Sequence, residues 1–308
     1  MGARRGVVLA TGGFERDAEL VRSFLRGPMT APTGAESNSG DGLRIAMRHG
    51  AALGNMREAW WVPVMYAPDG RSQAGPLLVN RERTLPRSIM VNRAGARFVN
   101  EAANYNALGG AFHVFDAGRF DYPNLPCWLV FDHEYLRRYG VGLQPPTDAA
   151  PDWVTSAPSL GALATTLGID ADGLVATVRG FNADARAGRD RAFGRGDSAY
   201  DLWAGDRTQE GLARTLGPLE QPLFHAVRIH PGCLGTNGGP RTDPHGQVLD
   251  VDGAPITGLY AAGNVMAGAT GMAYGGAGGT LGPAIVFGYR AGRATARSRP
   301  RRARGSTR

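Results

Sequence analysis

Lysine is absent from this chain: its 34 basic side chains are all arginine, set against 27 acidic ones in 308 residues. Cysteine is nearly absent. Cys127 and Cys233 fit no metal spacing, and so sparse a pair excludes a disulfide framework and argues for buried free thiols in a reducing compartment, the cytoplasm. The six histidines form no HExxH or paired-ligand pattern, so no metal site is expected. The apolar run Val7–Ala10 is too short for the hydrophobic region of a signal peptide. Charge is missing from Gly258 to Tyr289, but ten of those 32 residues are glycine and one is proline. That composition makes a poor lipid-facing helix and a good backbone-lined pocket, so no membrane span is expected. The net charge of +7 hints at nucleic acid, yet the last twelve residues hold six arginines and no acid, which leaves only +1 on the body. Residues 297–308 read as a disordered basic tail, and no nucleic-acid partner is expected.

Glycine is plentiful, with 46 residues, and its placement organises the chain. GVVLATGGF (6–14) reads as a short buried strand running into a glycine turn, the pattern of a central parallel strand whose carboxyl end faces a ligand. A helix is expected from about Arg16 to Leu25. A second follows a polar loop, with Leu43, Ala46, Met47 and Gly50 on one face and Asp41 as its N-cap. From Trp60 to about Leu234 short apolar runs (WWVPVMY, SIMVN, CWLVF) alternate with helical segments at 158–168 and 170–188, without a βαβ rhythm. GLYAAGN (258–264) is again a strand ending in glycine, followed by a glycine loop and a helix from about Leu281. The expected architecture is α/β: a nucleotide-binding domain in two segments, 1–66 and 235–296, interrupted by an α+β substrate domain at 67–234.

The loop GMAYGGAGGTLGPA (271–284) sets one tyrosine, Tyr274, among six glycines. Glycine is costly in ordered structure, so it marks positive φ or the close approach of something to the main chain. The first turn of the following helix, Thr280-Leu281-Gly282-Pro283, offers unpaired N–H groups and the positive end of a helix dipole, which suits either an anion site or an ordinary tight turn with close helix packing.

Six stretches in order, VVLATGGFE (7–15), GDGLRIAM (40–47), SIMVNRAGARFVNEAANY (88–105), GTNGGPRTD (235–243), GLYAAGN (258–264) and YGGAGGTLGPA (274–284), carry a resemblance. Together they resemble the FAD-dependent fumarate reductase/succinate dehydrogenase flavoprotein superfamily, in its 3-ketosteroid Δ1-dehydrogenase branch. The resemblance implies a Rossmann-like FAD-binding domain with an inserted cap domain. It implies FAD lying along Ala10, Thr11, Gly12 and Gly13, then Asp41 and Gly42, then Gly263 and Asn264, with Gly279, Thr280, Leu281 and Gly282 facing the flavin ring. It also implies that the Tyr274 hydroxyl and the Gly278 N–H hold a substrate ketone oxygen while Tyr105 takes the proton from C2 and hydride leaves C1 for flavin N5. Fumarate reductases carry arginine where Tyr105 stands and histidine within the GTNGG region, so both departures disfavour a dicarboxylate. Trp60, Trp61 and Tyr66 suit either a flat apolar pocket or the core. Asn92, Arg97 and Asn100 read as loop-fixing residues, and His225 and His230 as structural ones.

No GxGxxG turn occurs; Gly40-x-Gly42-x-x-Ile45 and Gly276-x-Gly278-x-x-Leu281 both lack the last glycine. Against the resemblance the nucleotide domain is therefore expected to be incomplete at its head. Three readings follow: a partial gene, a half that pairs with a separately encoded N-terminal half, or a decayed remnant. The expected substrate is a steroid or similar cyclic ketone, with an external electron acceptor. The alternatives are a fumarate-reductase-like C=C reductase or an inactive fragment.

Overall fold

The computed structural model describes residues 3–68 and 75–298. The basic tail expected from 297 lies outside the described residues beyond Ser298. The chain divides into two compact units, one made of Met1–Trp60 with Cys233–Arg308 and the other of Trp61–Gly232.

The strands in chain order are β1 (Val7–Leu9), β2 (Ala31–Pro32), β3 (Leu53–Gly54), β4 (Ala59–Ala67), β5 (Gly75–Leu78), β6 (Ser88–Asn92), β7 (Cys127–Asp132), β8 (Thr155–Ala157), β9 (Phe224–Thr236), β10 (Gly239–Pro240), β11 (Gln247–Leu249) and β12 (Pro255–Ala261). The α-helices are α1 (Ala18–Phe24), α2 (Asp41–Arg48), α3 (Tyr105–Phe112), α4 (His133–Tyr139), α5 (Leu160–Leu167), α6 (Ala171–Arg186), α7 (Ala199–Trp203) and α8 (Leu281–Arg297).

In the first unit β12 is central to a three-stranded sheet, parallel to β1 with Leu9 opposite Ala261 and antiparallel to β11. Leu9, Ala46, Val248, Leu259, Ala261 and Val265 form its core. The strands β1 and β12 are short apolar runs that each end at a turn requiring left-handed backbone, at Gly12 (φ +77°) and Gly263 (φ +78°). The helix α1 starts as its sequence suggests, with the Asp17 carboxylate accepting from the N–H groups of Glu19 and Leu20. The expected N-cap at Asp41 is corrected: the cap of α2 is Gly40, at φ +78°, and Asp41 is the first helical residue. A Cβ at position 40 would sit 2.5 Å from Leu20 Cδ1, so the turn admits only glycine there and leaves Asp41 one place inside the helix.

The second unit is built on the antiparallel order β5-β4-β9-β7-β6, with β8 also on β9. Its apolar strands are continuous rather than alternating because both faces are covered. Along β7, Cys127, Leu129 and Phe131 enter one core while Trp128 and Val130 enter the other. The second core is completed by α5 and by Leu174, Val178 and Phe181 of α6, which recur at helical spacing within the segment 170–188 expected to be helical.

His225 is fully buried in this unit, its ring nitrogens against Ser156 Oγ (2.8 Å) and His133 Nδ1 (3.3 Å). Burial, with the neighbouring His133, pushes it down to about 4 from its ordinary 6.5. The unfolded chain therefore binds a proton that the folded chain refuses, so stability present above pH 6.5 is lost as pH falls toward 4, by at most about 3 kcal/mol. Urea midpoints measured across that window should fall in the wild-type chain and fall less in His225→Gln.

Candidate active site

In the first unit, the turn after β1 is held from three sides. The Thr236 hydroxyl accepts from the Phe14 N–H (2.9 Å), Glu15 Oε2 accepts from the Thr236 N–H (3.3 Å), and Glu15 Oε1 accepts from Asn38 Nδ2 (2.6 Å). A Cβ on Gly13 would lie 2.2 Å from Thr236 Oγ1 and 2.5 Å from Glu15 Oε2, which fixes glycine at that place. Thr11 Oγ1 accepts from the Gly42 N–H at 3.2 Å, and a Cβ on Gly42 would lie 2.4 Å from that hydroxyl. Thr11, Gly12 and Gly13 are thereby joined to Asp41 and Gly42 at the start of α2, with Ala10, Thr11 and Asp41 exposed. Glu15, Asn38 and Thr236 are site residues that sequence reasoning missed. The available signal was an acid, Glu15, two residues after the Gly12-Gly13 pair.

Gly263 opens the next turn, and Asn264 Oδ1 accepts from the Trp60 indole N–H at 3.1 Å. The Trp60 ring packs on Tyr274, with centroids 4.9 Å apart and planes at 43°. Trp60 is 4% exposed and Tyr274 9%. Gly279 completes the seat, since a Cβ there would lie 2.5 Å from Tyr274 Cε2. A recess beside this cluster is lined by Trp60, Asn237, Gly263, Asn264, Thr280 and Pro283. Asn237 anchors the loop from beneath, donating Nδ2–H to Gly271 O, and its buried Oδ1 has no donor among the described residues.

The loop amides divide into two sets. The Gly279 N–H donates to Gly276 O and the Gly282 N–H to Gly278 O, so both are satisfied internally. Those of Gly278, Thr280 and Leu281 have no acceptor among the described residues. Positive φ explains Gly276 (+119°) and Gly278 (+93°). Gly275 and Gly282 have neither a positive φ nor any atom within 4 Å of where a Cβ would stand. Nothing among the described residues requires glycine at these two positions, and bare main chain of this kind fits a flat ligand lying on it. Orphan amides at the start of α8 beside it fit a ring edge that carries carbonyl oxygens. FAD has such a ring, so the residues present fit the cofactor.

In the second unit, Tyr105 is the first residue of α3 and 8% exposed. The segment leading to it is locked. Asn92 Oδ1 accepts from the N–H groups of Ala94 and Ala96, and Asn100 Oδ1 from that of Ala102 while its Nδ2 donates to Asp201. Arg97 bridges Glu101 (2.6 Å) and Asp190 (2.8 Å), and Arg195 reaches Glu101 at 3.3 Å. Arg83, fully buried and pulled down to about 10 chiefly by that burial, donates to the carbonyls of Glu101 and Ala103. Trp61 is core, packed where Gly109 has no side chain, whereas Tyr66 is 40% exposed and stacks edge-on against His230.

A family pattern described as an FAD binding domain matches residues 1–281, and the chain belongs to that family. The resemblance to fumarate reductase and ketosteroid dehydrogenase flavoproteins is borne out, and with it FAD as the cofactor. The chain is 45% identical to 4-oxocyclohexanecarboxylate 2-dehydrogenase of Sinomonas cyclohexanicum, over 96% of this chain and 51% of that protein. It is 42% identical to 3-oxosteroid 1-dehydrogenase of Mycobacterium tuberculosis, over 93% and 52%. Among solved structures it matches 3-ketosteroid Δ1-dehydrogenase from Sterolibacterium denitrificans in complex with 1,4-androstadiene-3,17-dione, at 37% identity and a TM-score of 0.88, covering 96% of this chain and 54% of that one. The chain thus spans about half the length of the relatives it matches. No helix of the described residues is long and apolar enough to cross a membrane.

Proposed function

We propose that this chain carries the ketone-holding part of an FAD-dependent dehydrogenase that introduces a C1–C2 double bond into a flat cyclic ketone of the 3-ketosteroid or cyclohexanone type. The single observation that carries the reading is the pair Gly275 and Gly282, glycines that no contact among the described residues requires, in the same loop and helix start as the seated ring of Tyr274. The Tyr274 hydroxyl and the Gly278 N–H donate to the ketone oxygen. As the C2 proton leaves, negative charge spreads onto that oxygen, and two fixed donors lower the cost of the enolate. Tyr105, acting as the phenolate, accepts the C2 proton and becomes the neutral phenol. FAD, when bound, supplies the acceptor for the hydride that leaves C1. Thr280 and Leu281 N–H groups, at the positive end of α8, face the edge of the ring where charge accumulates. The electron pair then passes to an external acceptor, and the protein works in the cytoplasm.

Fumarate reduction is the weaker reading, because a tyrosine stands at 105 and no histidine occurs in GTNGG to meet a second carboxylate. The test is to add FAD to the purified chain and measure retained flavin absorbance, then to mix the oxidised form anaerobically with 4-androstene-3,17-dione or 4-oxocyclohexanecarboxylate and, separately, the dithionite-reduced form with fumarate. Loss of the oxidised-flavin colour with a cyclic ketone supports the proposal. Turnover of fumarate alone would establish the reductase reading, and no retained flavin would establish the inactive fragment or the need for the other half.

A further inference from the structure

We infer that Trp60 is a positioning residue whose one indole fixes both the cofactor-facing amide of Asn264 and the substrate-facing ring of Tyr274. This rests on the roles proposed above for those two residues. The indole N–H can only donate, so its bond to Asn264 Oδ1 at 3.1 Å decides which way the amide faces. Turning the amide over would set an NH2 group against an N–H. Asn264 is therefore left as a donor, suited to an oxygen of the cofactor such as a chain hydroxyl. Gly235 makes room for this arrangement, because a Cβ there would lie 2.3 Å from Asn264 Nδ2. The other function of the indole is its face. The Tyr274 ring packs on the indole with planes at 43° and also abuts Gly279, where a Cβ would lie 2.5 Å from Tyr274 Cε2, so two contacts confine it. A rigid donor is what enolate stabilisation requires.

Two variants separate the functions. Trp60→Phe keeps an aromatic wall and deletes the N–H; Trp60→Leu deletes both. Flavin titration should show Trp60→Phe and Asn264→Ala each weakening FAD binding by about tenfold, and the double variant weakening it no further than the worse single one, since both remove the same link. In apo protein labelled with 3-fluorotyrosine, the fluorine line assigned to Tyr274 by Tyr274→Phe should stay single in Trp60→Phe and broaden or split in Trp60→Leu. Additive losses in the double variant, or an unmoved Tyr274 line in Trp60→Leu, would overturn the inference. Thermal melts screen for folding, and if Trp60→Leu fails to fold, the double-variant comparison with Trp60→Phe still decides. Neither readout needs turnover, so failure of the dehydrogenase reading leaves this test intact. If the chain retains no FAD, the fluorine line alone decides.

Discussion

Tyr274→Phe should lower kcat on a cyclic ketone by roughly 10²–10³-fold while leaving FAD binding and thermal stability near wild type. The magnitude follows from losing one of two fixed donors to an oxygen that gains charge only as the proton leaves. Phenylalanine retains the ring that packs on Trp60 and against Gly279, so neither the loop nor its neighbours need move. The effect should therefore fall on the rate of flavin reduction in single turnovers, with KM changed only a few-fold. Gly279→Ala makes the complementary case. Its Cβ would lie 2.5 Å from Tyr274 Cε2, so the ring must shift with its hydroxyl intact and kcat should still drop. A loss in Tyr274→Phe that appears only in KM, or stays below tenfold, would contradict the assigned role.

The largest expected effect on stability is at Glu101. Its carboxylate is fully buried between Arg97 and Arg195 and also accepts from the Met90 N–H at 3.1 Å. Burial alone would raise its pKa, but the charges of Arg97 and then Arg195 outweigh it and hold the group below its ordinary 4.5. Glu101→Gln leaves two buried guanidiniums undercompensated, which should cost about 3–5 kcal/mol in urea unfolding. Because the folded-state pKa is depressed, the wild-type contribution is complete above about pH 4.5 and is lost as pH falls below it. The stability gap between variant and wild type should therefore narrow in acid. Asp190, also lowered, works in the same direction: burial opposes the shift and Arg97 prevails.

What the sequence showed best was whatever depends on neighbours in the chain. Asp170 and the spacing of Leu174, Val178 and Phe181 place α6, and β6 and β7 are recognisable because their apolar runs are unbroken. Asp41 misled because aspartate is a common cap, while the left-handed backbone at Gly40 (φ +78°), which makes glycine the cap, is a property of the folded turn with no signature in Asp41. The braces at Glu15, Asn38 and Thr236 were hidden for the same reason, each being distant in sequence from its partner. Trp60 read as one of several aromatics suited to pocket or core. Its bond to Asn264 and its contact with Tyr274 exist only once β4 and the glycine loop are folded. Gly279 read as cofactor-facing, and the sequence did not show that its missing side chain also makes room for Tyr274.

The most direct test of the central claim is a crystal structure of the chain with FAD and an unreacted cyclic 3-ketone. The account predicts the ketone oxygen within hydrogen-bond distance of both the Tyr274 hydroxyl and the Gly278 N–H. A ketone oxygen bound elsewhere, or a Tyr274 hydroxyl turned away from it, would contradict that claim.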